Sequence, residues 1–318
     1  MPHEQNHTAE GYDRSDIGDR VREPGAHVVE RVTDIGERAG NALVYSSAYL
    51  AVVAMAEVAI AMTLLSLPPS PAPLVVGLVT FAVYTHDRVA DADTDAVSDP
   101  ERSAFVRRHR NALYLLGSVS YGLALALAVL GGPVALAATL IPGAFWLAYA
   151  ADVMPAFGSR LRRLKEVFLV NSLIVALAWA TTLTALPVAF TDAAVTPTTL
   201  VVFGYFLLRS FVDTEIPNVG DVVADRAIGV STLPTVLGVS ATRRALVAVD
   251  LCTVGVVAAA VATGALSAAP AVALGVGVAY SVGVIAMLDR VDADAVALAA
   301  ECEYLVVAAV LFAPALVA

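Results

Sequence analysis

The residues best suited to chemistry in this chain lie between Asp213 and Gly238, in the run DTEIPNVGDVVADRAIGVSTLPTVLG. Asn218, Asp221 and Asp225 stand at i, i+3 and i+7, which puts three oxygen-bearing side chains on one face if the segment is a single helix, with Asp213 just ahead of them. Carboxylates this close repel by about 3 kcal/mol per pair at an effective dielectric of about 20, so the cluster predicts a bound cation. A second set occurs upstream, where YTHDRVADADTD places Asp87, Asp91 and Asp95 at i, i+4 and i+8. The two sets share Asp-x-Val-Ala-Asp, in Asp87–Asp91 and Asp221–Asp225, as expected of two equivalent helix ends facing one cavity. All-oxygen sets suit Mg²⁺, with Mn²⁺ as the alternative, because Mg²⁺ takes one or two carboxylates and completes its shell with water and substrate phosphate. Cys252 and Cys302 lie in apolar runs without paired spacing and read as small core residues.

The elements that must hold these acids are membrane helices. Of 318 residues, 58% are hydrophobic and 15% charged, and the mean hydropathy is +0.77, against about 45–50% apolar and 25% charged in soluble domains. Apolar runs near the 20 residues that cross a bilayer as a helix lie at approximately 42–66, 70–90, 112–131, 133–152, 166–189, 197–214, 244–264, 267–288 and 300–317. The expected fold is therefore all-α, a multi-pass bundle of nine helices around a central cavity with a polar cap on the cytoplasmic side; no sheet-like alternation supports a β-barrel. Residues 1–40 form a polar cytoplasmic segment without the apolar core of a cleaved signal, and 41–318 the transmembrane domain. Arg and Lys collect in the N-terminal segment and around the loops after the second, fourth, sixth and eighth spans, which predicts a cytoplasmic N-terminus and both Asp sets on the cytoplasmic side.

Other polar residues have two readings each. Arg102, nearest the first cluster, is either a diphosphate clamp or a topology anchor. Lys165, the single lysine, is either a phosphate contact or part of the positive-inside bias. Tyr149 and Asn171 flank the same cytoplasmic loop. Glu57 is a carboxylate deep in the first span, hence a functional candidate or a group paired inside the bundle. His86 lacks a partner at zinc-ligand spacing and is expected to face the cavity. The last three spans carry little beyond packing residues, and the loop with Asp289, Asp292 and Asp294 is expected to be solvated. The net charge of −10 sits mostly in tails and loops, as in adaptation to high salt, and no basic stripe with interleaved aromatics suggests nucleic acid.

A metal-bridged diphosphate in a bilayer-embedded cavity implies a substrate with a hydrophobic far end, a polyprenyl diphosphate, whose allylic cation would alkylate a hydrophobic acceptor. The run Asp221-Val-Val-Ala-Asp225-Arg226-Ala-Ile-Gly229-Val-Ser-Thr232-Leu233-Pro234 resembles the second motif of the UbiA-type family of intramembrane prenyltransferases, nine-helix proteins with two Asp-rich motifs. The likeness covers about residues 42–317. Asp87-Arg88-Val-Ala-Asp91-Ala-Asp-Thr-Asp95 resembles the first motif, usually Asn-Asp-x-x-Asp-x-x-x-Asp, but departs at Asp87 and Arg88; Asn218 stands where many members have Asp. The resemblance implies metal binding by Asp87, Asp91, Asp95, Asn218, Asp221 and Asp225, of which Asp91, Asp95, Asp221 and Asp225 are the catalytic set. It implies diphosphate contacts by Arg102, Tyr149, Lys165, Asn171 and Arg226. Arg88 either reaches the diphosphate or, rotated about 100° from Asp87, anchors the helix at the membrane surface. The acceptor is left open among a quinone precursor, an ether-lipid glycerol phosphate, a carotenoid and a porphyrin-type ring, and no protein partner is implied. The alternatives are a secondary transporter using intramembrane carboxylates and a catalytically inactive lipid-binding relative.

Overall fold

The computed structural model describes residues 40–93, 96, 99–150, 170–228 and 231–317. The chain divides into two units, residues 1–44 and 45–318; of the first, only residues 40–44 are described, and they are helical. The second unit, over the described residues, contains helices and no strand. They are α1 Ala48–Leu64, α2 Ala72–Asp91, α3 Pro100–Ala128, α4 Gly132–Ala150, α5 Val170–Phe190, α6 Pro197–Gly220, α7 Val222–Ile228, α8 Leu233–Leu237, α9 Val239–Ala262, α10 Ala268–Met287, α11 Ala293–Glu301 and α12 Glu303–Val317.

Local chemistry sets where these helices start. Asp99 accepts a hydrogen bond from Arg102 N at 2.9 Å with Pro100 in the first turn of α3, the capping arrangement that satisfies an orphan N–H and uses proline where no donor is needed. Thr196 and Thr199 form a reciprocal capping box at the start of α6, with Pro197 behind it. Between α3 and α4 the chain passes through one 3₁₀ turn, Val129–Gly131, and then Gly132 at φ 79, a left-handed conformation that glycine adopts without strain.

The helices close into a ring. α1 packs on α2, α2 on α3 and α4, α4 on α5, α5 on α6, α6 on α9, α9 on α10, α10 on α12, and α12 returns to α1. The outside of the ring is apolar: Leu130, Leu147, Leu200 and Leu251 are 64–74% exposed. The inside holds charges, with Arg209, Glu215 and Asp250 at 0% exposure. A water-soluble protein shows the reverse arrangement; lipid outside and a polar interior account for this one. Among the described residues five stretches are long and apolar enough to cross a membrane, one of them the 48-residue Pro100–Leu147 that contains the Gly132 corner. The expected count of nine is thus not reproduced by length and composition alone. α2 and α6, of 20 and 24 residues, carry charged motifs in their final turns.

Candidate functional site

The ring encloses a cavity of about 410 Å³ reached by residues of α1, α2, α5, α6, α11 and α12. Asp87 enters it from the last turns of α2 and Asn218 from the last turn of α6, so the two helix ends that the motifs mark do face one space. A second, more apolar cavity of about 210 Å³ adjoins it, lined by Phe145 and Trp146 and sharing Tyr84, Asp87, Val175 and Trp179 with the first. The Tyr84 and Trp179 rings stack across this junction, centroids 6.2 Å apart at 15°.

The second motif is not one helix, contrary to the expectation from its spacing. α6 ends at Gly220, Asp221 is its C-cap, and Asp225 belongs to the separate short helix α7. Pro217 supplies no N–H to the last turn of α6, and at Gly220 a Cβ would stand 2.8 Å from Ala293 Cβ on α11, so the helix end packs tightly there and the chain turns away. Asn218, Asp221 and Asp225 therefore sit on an α6 side chain, a junction and α7 in turn. Thr232 Oγ1 donates to Asp225 Oδ2 at 3.3 Å. Partial burial and the neighbouring Asp221 push the Asp225 carboxyl above its ordinary pKa, and the Thr232 hydroxyl opposes that rise. Arg226 Nη2 reaches Thr235 O at 3.5 Å.

The remaining sequence candidates are distributed as follows. Asp91 lies one turn beyond Asp87, exposed at the end of α2, and is not part of the cavity wall. Asp95 and Lys165 lie outside the described residues, as do the side chains of Tyr149 and Asn171, whose backbones close α4 and open α5. Arg102 pairs with Asp99 at 3.3 Å and does not line the cavity. Arg88 leaves the carboxylate face, as its 100° rotation requires, and its Nε donates to Ser47 Oγ at 3.2 Å, tying α2 to the residue before α1. His86, expected to face the cavity, instead faces α3: Nε2 meets Ser118 Oγ at 3.2 Å, Nδ1 meets Ala82 O at 2.7 Å, and the ring packs edge-on against Tyr114. Among the described residues no three His, Cys, Asp or Glu side chains converge to hold a metal. The donors that do face the cavity from the two motifs, Asp87 and Asn218, are oxygens of the kind Mg²⁺ takes when substrate phosphate and water complete its shell.

Two sets of residues escaped the sequence reading. Glu215, 0% exposed, joins three elements: Ser172 Oγ of α5 donates to its Oε1 at 2.5 Å, while Asn218 Nδ2 and Leu233 N donate to its Oε2 at 3.2 and 3.3 Å. With its nitrogen so engaged, the Asn218 amide presents its oxygen as the atom able to meet a cation. Arg209, inside the sixth apolar run, is fully buried; it pairs with Asp250 of α9, with Glu303 of α12, and with Asp213 at 3.4 Å. Tyr304 OH donates to the other Asp213 oxygen at 2.8 Å and Ser281 Oγ to Asp250 at 3.0 Å. Asp213 is thus an ion-paired wall residue, and the last three spans carry this network rather than packing residues alone. Glu57, singled out by sequence as a functional candidate or a paired group, shares the cavity wall with Asp213 and Glu301. The available signal was an ionisable residue inside an apolar run, which in a membrane marks a partner or a function. The Asp289–Asp294 loop also does more than face solvent: Asp292 caps α11 by accepting from Asp294 N and Ala295 N.

A family model described as the UbiA prenyltransferase family matches residues 41–303. No curated protein matches the chain. Among solved structures, an apo UbiA homologue from Aeropyrum pernix K1 superposes with a TM-score of 0.65 at 18% identity, covering 83% of this chain and 98% of that one. A UbiA homologue from Archaeoglobus fulgidus bound to GPP and Mg²⁺ gives a TM-score of 0.62 at 14% identity, covering 86% and 98%. A structure of digeranylgeranylglyceryl phosphate synthase gives 0.51 at 14% identity, covering 88% and 96%.

Proposed function

The chain belongs to the UbiA prenyltransferase family, and from that premise we propose that it is an integral membrane enzyme transferring a prenyl group from a prenyl diphosphate to a lipophilic acceptor in the cavity between α2 and α6. The observation that carries this reading is the convergence of Asp87 and Asn218 on one cavity with an aromatic chamber beside it. Asp87 and Asn218 would hold Mg²⁺ from the wall, with Asp91, Asp95, Asp221 and Asp225 as its further oxygen ligands at the rim. When bound, the metal neutralises charge on the departing diphosphate; the A. fulgidus homologue, which binds GPP and Mg²⁺, supports this assignment.

The chain's own residues then do three things. Asp87 and Asn218, the latter held by Glu215, orient the diphosphate end at the mouth. The chamber of Phe145, Trp146 and Trp179 takes the apolar chain and excludes water. The π faces of Tyr84 and Trp179, beside Asp87, border the place where the allylic cation develops as the carbon–oxygen bond breaks, and an aromatic face stabilises such a cation. Residues 1–40 form a cytoplasmic segment, residues 41–318 the membrane domain, and the site opens to the cytoplasm, in keeping with the placement of Arg and Lys. Arg102, Tyr149, Lys165, Asn171 and Arg226 remain the candidates for direct diphosphate contact. The test is incubation of the purified chain with Mg²⁺ and geranylgeranyl diphosphate plus candidate acceptors: diphosphate release coupled to acceptor prenylation supports the reading, and no release with any acceptor class refutes it.

A further inference from the structure

One wall of the apolar chamber is braced from behind. The residues the chamber shares with the larger cavity stand at their junction, which leaves Pro142, Phe145 and Trp146 of α4 facing that junction from the far side. Phe145 is 38% exposed. Trp146 instead backs onto His86 of α2, ring centroids 5.5 Å apart at 54°. His86 lines neither cavity, and its ring is fixed on several sides. Nδ1 donates to Ala82 O, which can only accept. Nε2 meets Ser118 Oγ, and the Tyr114 ring stands edge-on at 5.0 Å. Gly117 of α3 makes the space: a Cβ there would stand 2.7 Å from His86 Cε1, so any side chain would drive the imidazole out of its place. Glycine inside a helix costs about 0.5–1 kcal/mol relative to alanine, and at this position it admits the ring that supports Trp146. His86 and Asp87 are consecutive on α2. Asp87 marks the diphosphate end and His86 braces the wall that the chain runs toward, so one helix fixes both ends of the span.

We propose that Trp146 is the specificity-determining wall that limits the length of the prenyl chain, and that His86 is the positioning residue that holds it there. This assignment rests on the prenyl-transfer reading above, in which the chamber takes the apolar chain. A large ring free to change rotamer would yield to a longer chain. Trp146 cannot turn toward α3 without displacing His86, and His86 cannot leave without giving up both of its hydrogen bonds. Packed interiors resist one extra group because side chains must leave their preferred rotamers to admit it. A chain one isoprene unit too long therefore meets a fixed surface. Trp146 touches the chain; His86 acts only through Trp146.

The test measures binding, without turnover, by the full chain in nanodiscs with Mg²⁺. The probes are the unreactive geranyl, farnesyl, geranylgeranyl and geranylfarnesyl thiolodiphosphates, which share one head and differ by one isoprene unit each. In the wild-type chain, affinity should fall by at least about tenfold, equivalent to about 1.4 kcal/mol, between one member of the series and the next longer. Trp146→Ala removes about nine ring atoms, more than one five-carbon unit occupies, and leaves a cavity that the surroundings only partly fill; the fall should move one unit longer. His86→Ala should shrink the fall several-fold, and in the Trp146→Ala background it should change nothing further, as expected of a residue acting through its neighbour. Failure of the wild-type chain to bind any analogue overturns the prenyl-transfer reading itself. Binding with no fall along the series, or a fall at the same length in Trp146→Ala, overturns the length limit and leaves that reading standing. A His86→Ala variant that weakens every analogue equally overturns the positioning role. If Trp146→Ala does not fold, Trp146→Phe decides: it should shrink the fall several-fold, and an unchanged fall overturns the assignment.

Discussion

Replacing Glu215 offers the sharpest test of how the second motif is built. Its carboxylate accepts from Ser172 Oγ, Asn218 Nδ2 and Leu233 N, and Ser172 and Leu233 are 2% and 4% exposed. Glu215→Ala leaves two buried donors and one half-buried donor without an acceptor. At about 2 kcal/mol for each buried donor and about 1 kcal/mol for the amide, the loss is about 5 kcal/mol, the scale on which an entire domain is stable. Glu215→Gln keeps an oxygen toward Asn218 and Leu233 and an NH₂ that can donate to Ser172, so only the charge assistance is lost, about 1–2 kcal/mol. The assay is denaturant unfolding of the detergent-purified variants, paired with Mg²⁺-dependent binding of a prenyl diphosphate. Glu215→Gln should remain folded and keep Mg²⁺-dependent binding, and Glu215→Ala should be lost from the membrane fraction or unfold at markedly lower denaturant. Wild-type stability and wild-type metal dependence in Glu215→Ala would show that the three hydrogen bonds neither support the α5–α6–α8 junction nor orient Asn218.

Four further outcomes are expected. Asp91→Ala, Asp221→Ala and Asp225→Ala should each abolish product formation while metal-free thermal stability stays level or rises, because each removes a carboxylate from a repelling set; normal turnover by any one removes it from the site. Turnover should require Mg²⁺ or Mn²⁺ and fail with Zn²⁺ alone, the ligands being oxygens; full turnover in excess chelator would contradict this. Arg209→Met should destabilise the bundle by about 3–5 kcal/mol, since it strands Asp213, Asp250 and Glu303 without their cation, whereas a shift below about 1 kcal/mol in denaturant unfolding would mean the network is dispensable. Metal affinity should fall as pH drops through the raised Asp225 titration, because protonation removes a ligand, and Thr232→Val, which deletes the hydroxyl that holds that pKa down, should move the fall to higher pH; titration by calorimetry at a series of pH values reads the shift, and an unmoved midpoint refutes the assignment.

Much of this protein is legible without coordinates because the signals are local. A run of twenty apolar residues must lie in lipid whatever its neighbours are, so the all-helical membrane class follows from hydropathy. The spacing around Asp87 and Asp221 suffices to mark two helix ends, and the Thr232-Leu233-Pro234 run with its motif marks the family that the match over residues 41–303 bears out. What spacing could not supply was the break at Gly220. There Gly220 packs against Ala293 of α11, a contact with a residue more than seventy positions away.

The direction of each side chain around its helix was decided by packing alone. His86 and Asp87 are neighbours in sequence, yet one meets Ser118 on α3 and the other the cavity, because about 100° of rotation per residue sends adjacent positions to different partners. Glu57, Asp213 and Glu301 share one wall, and Arg209 finds Asp250 and Glu303, only because packing brings α1, α6, α9, α11 and α12 together. Sequence determined which residues are costly to place in a bilayer; the tertiary structure determined which of them neutralise one another and which are left facing a ligand, since charge pairing at a few ångströms depends on helix neighbours and rotation that no local pattern encodes.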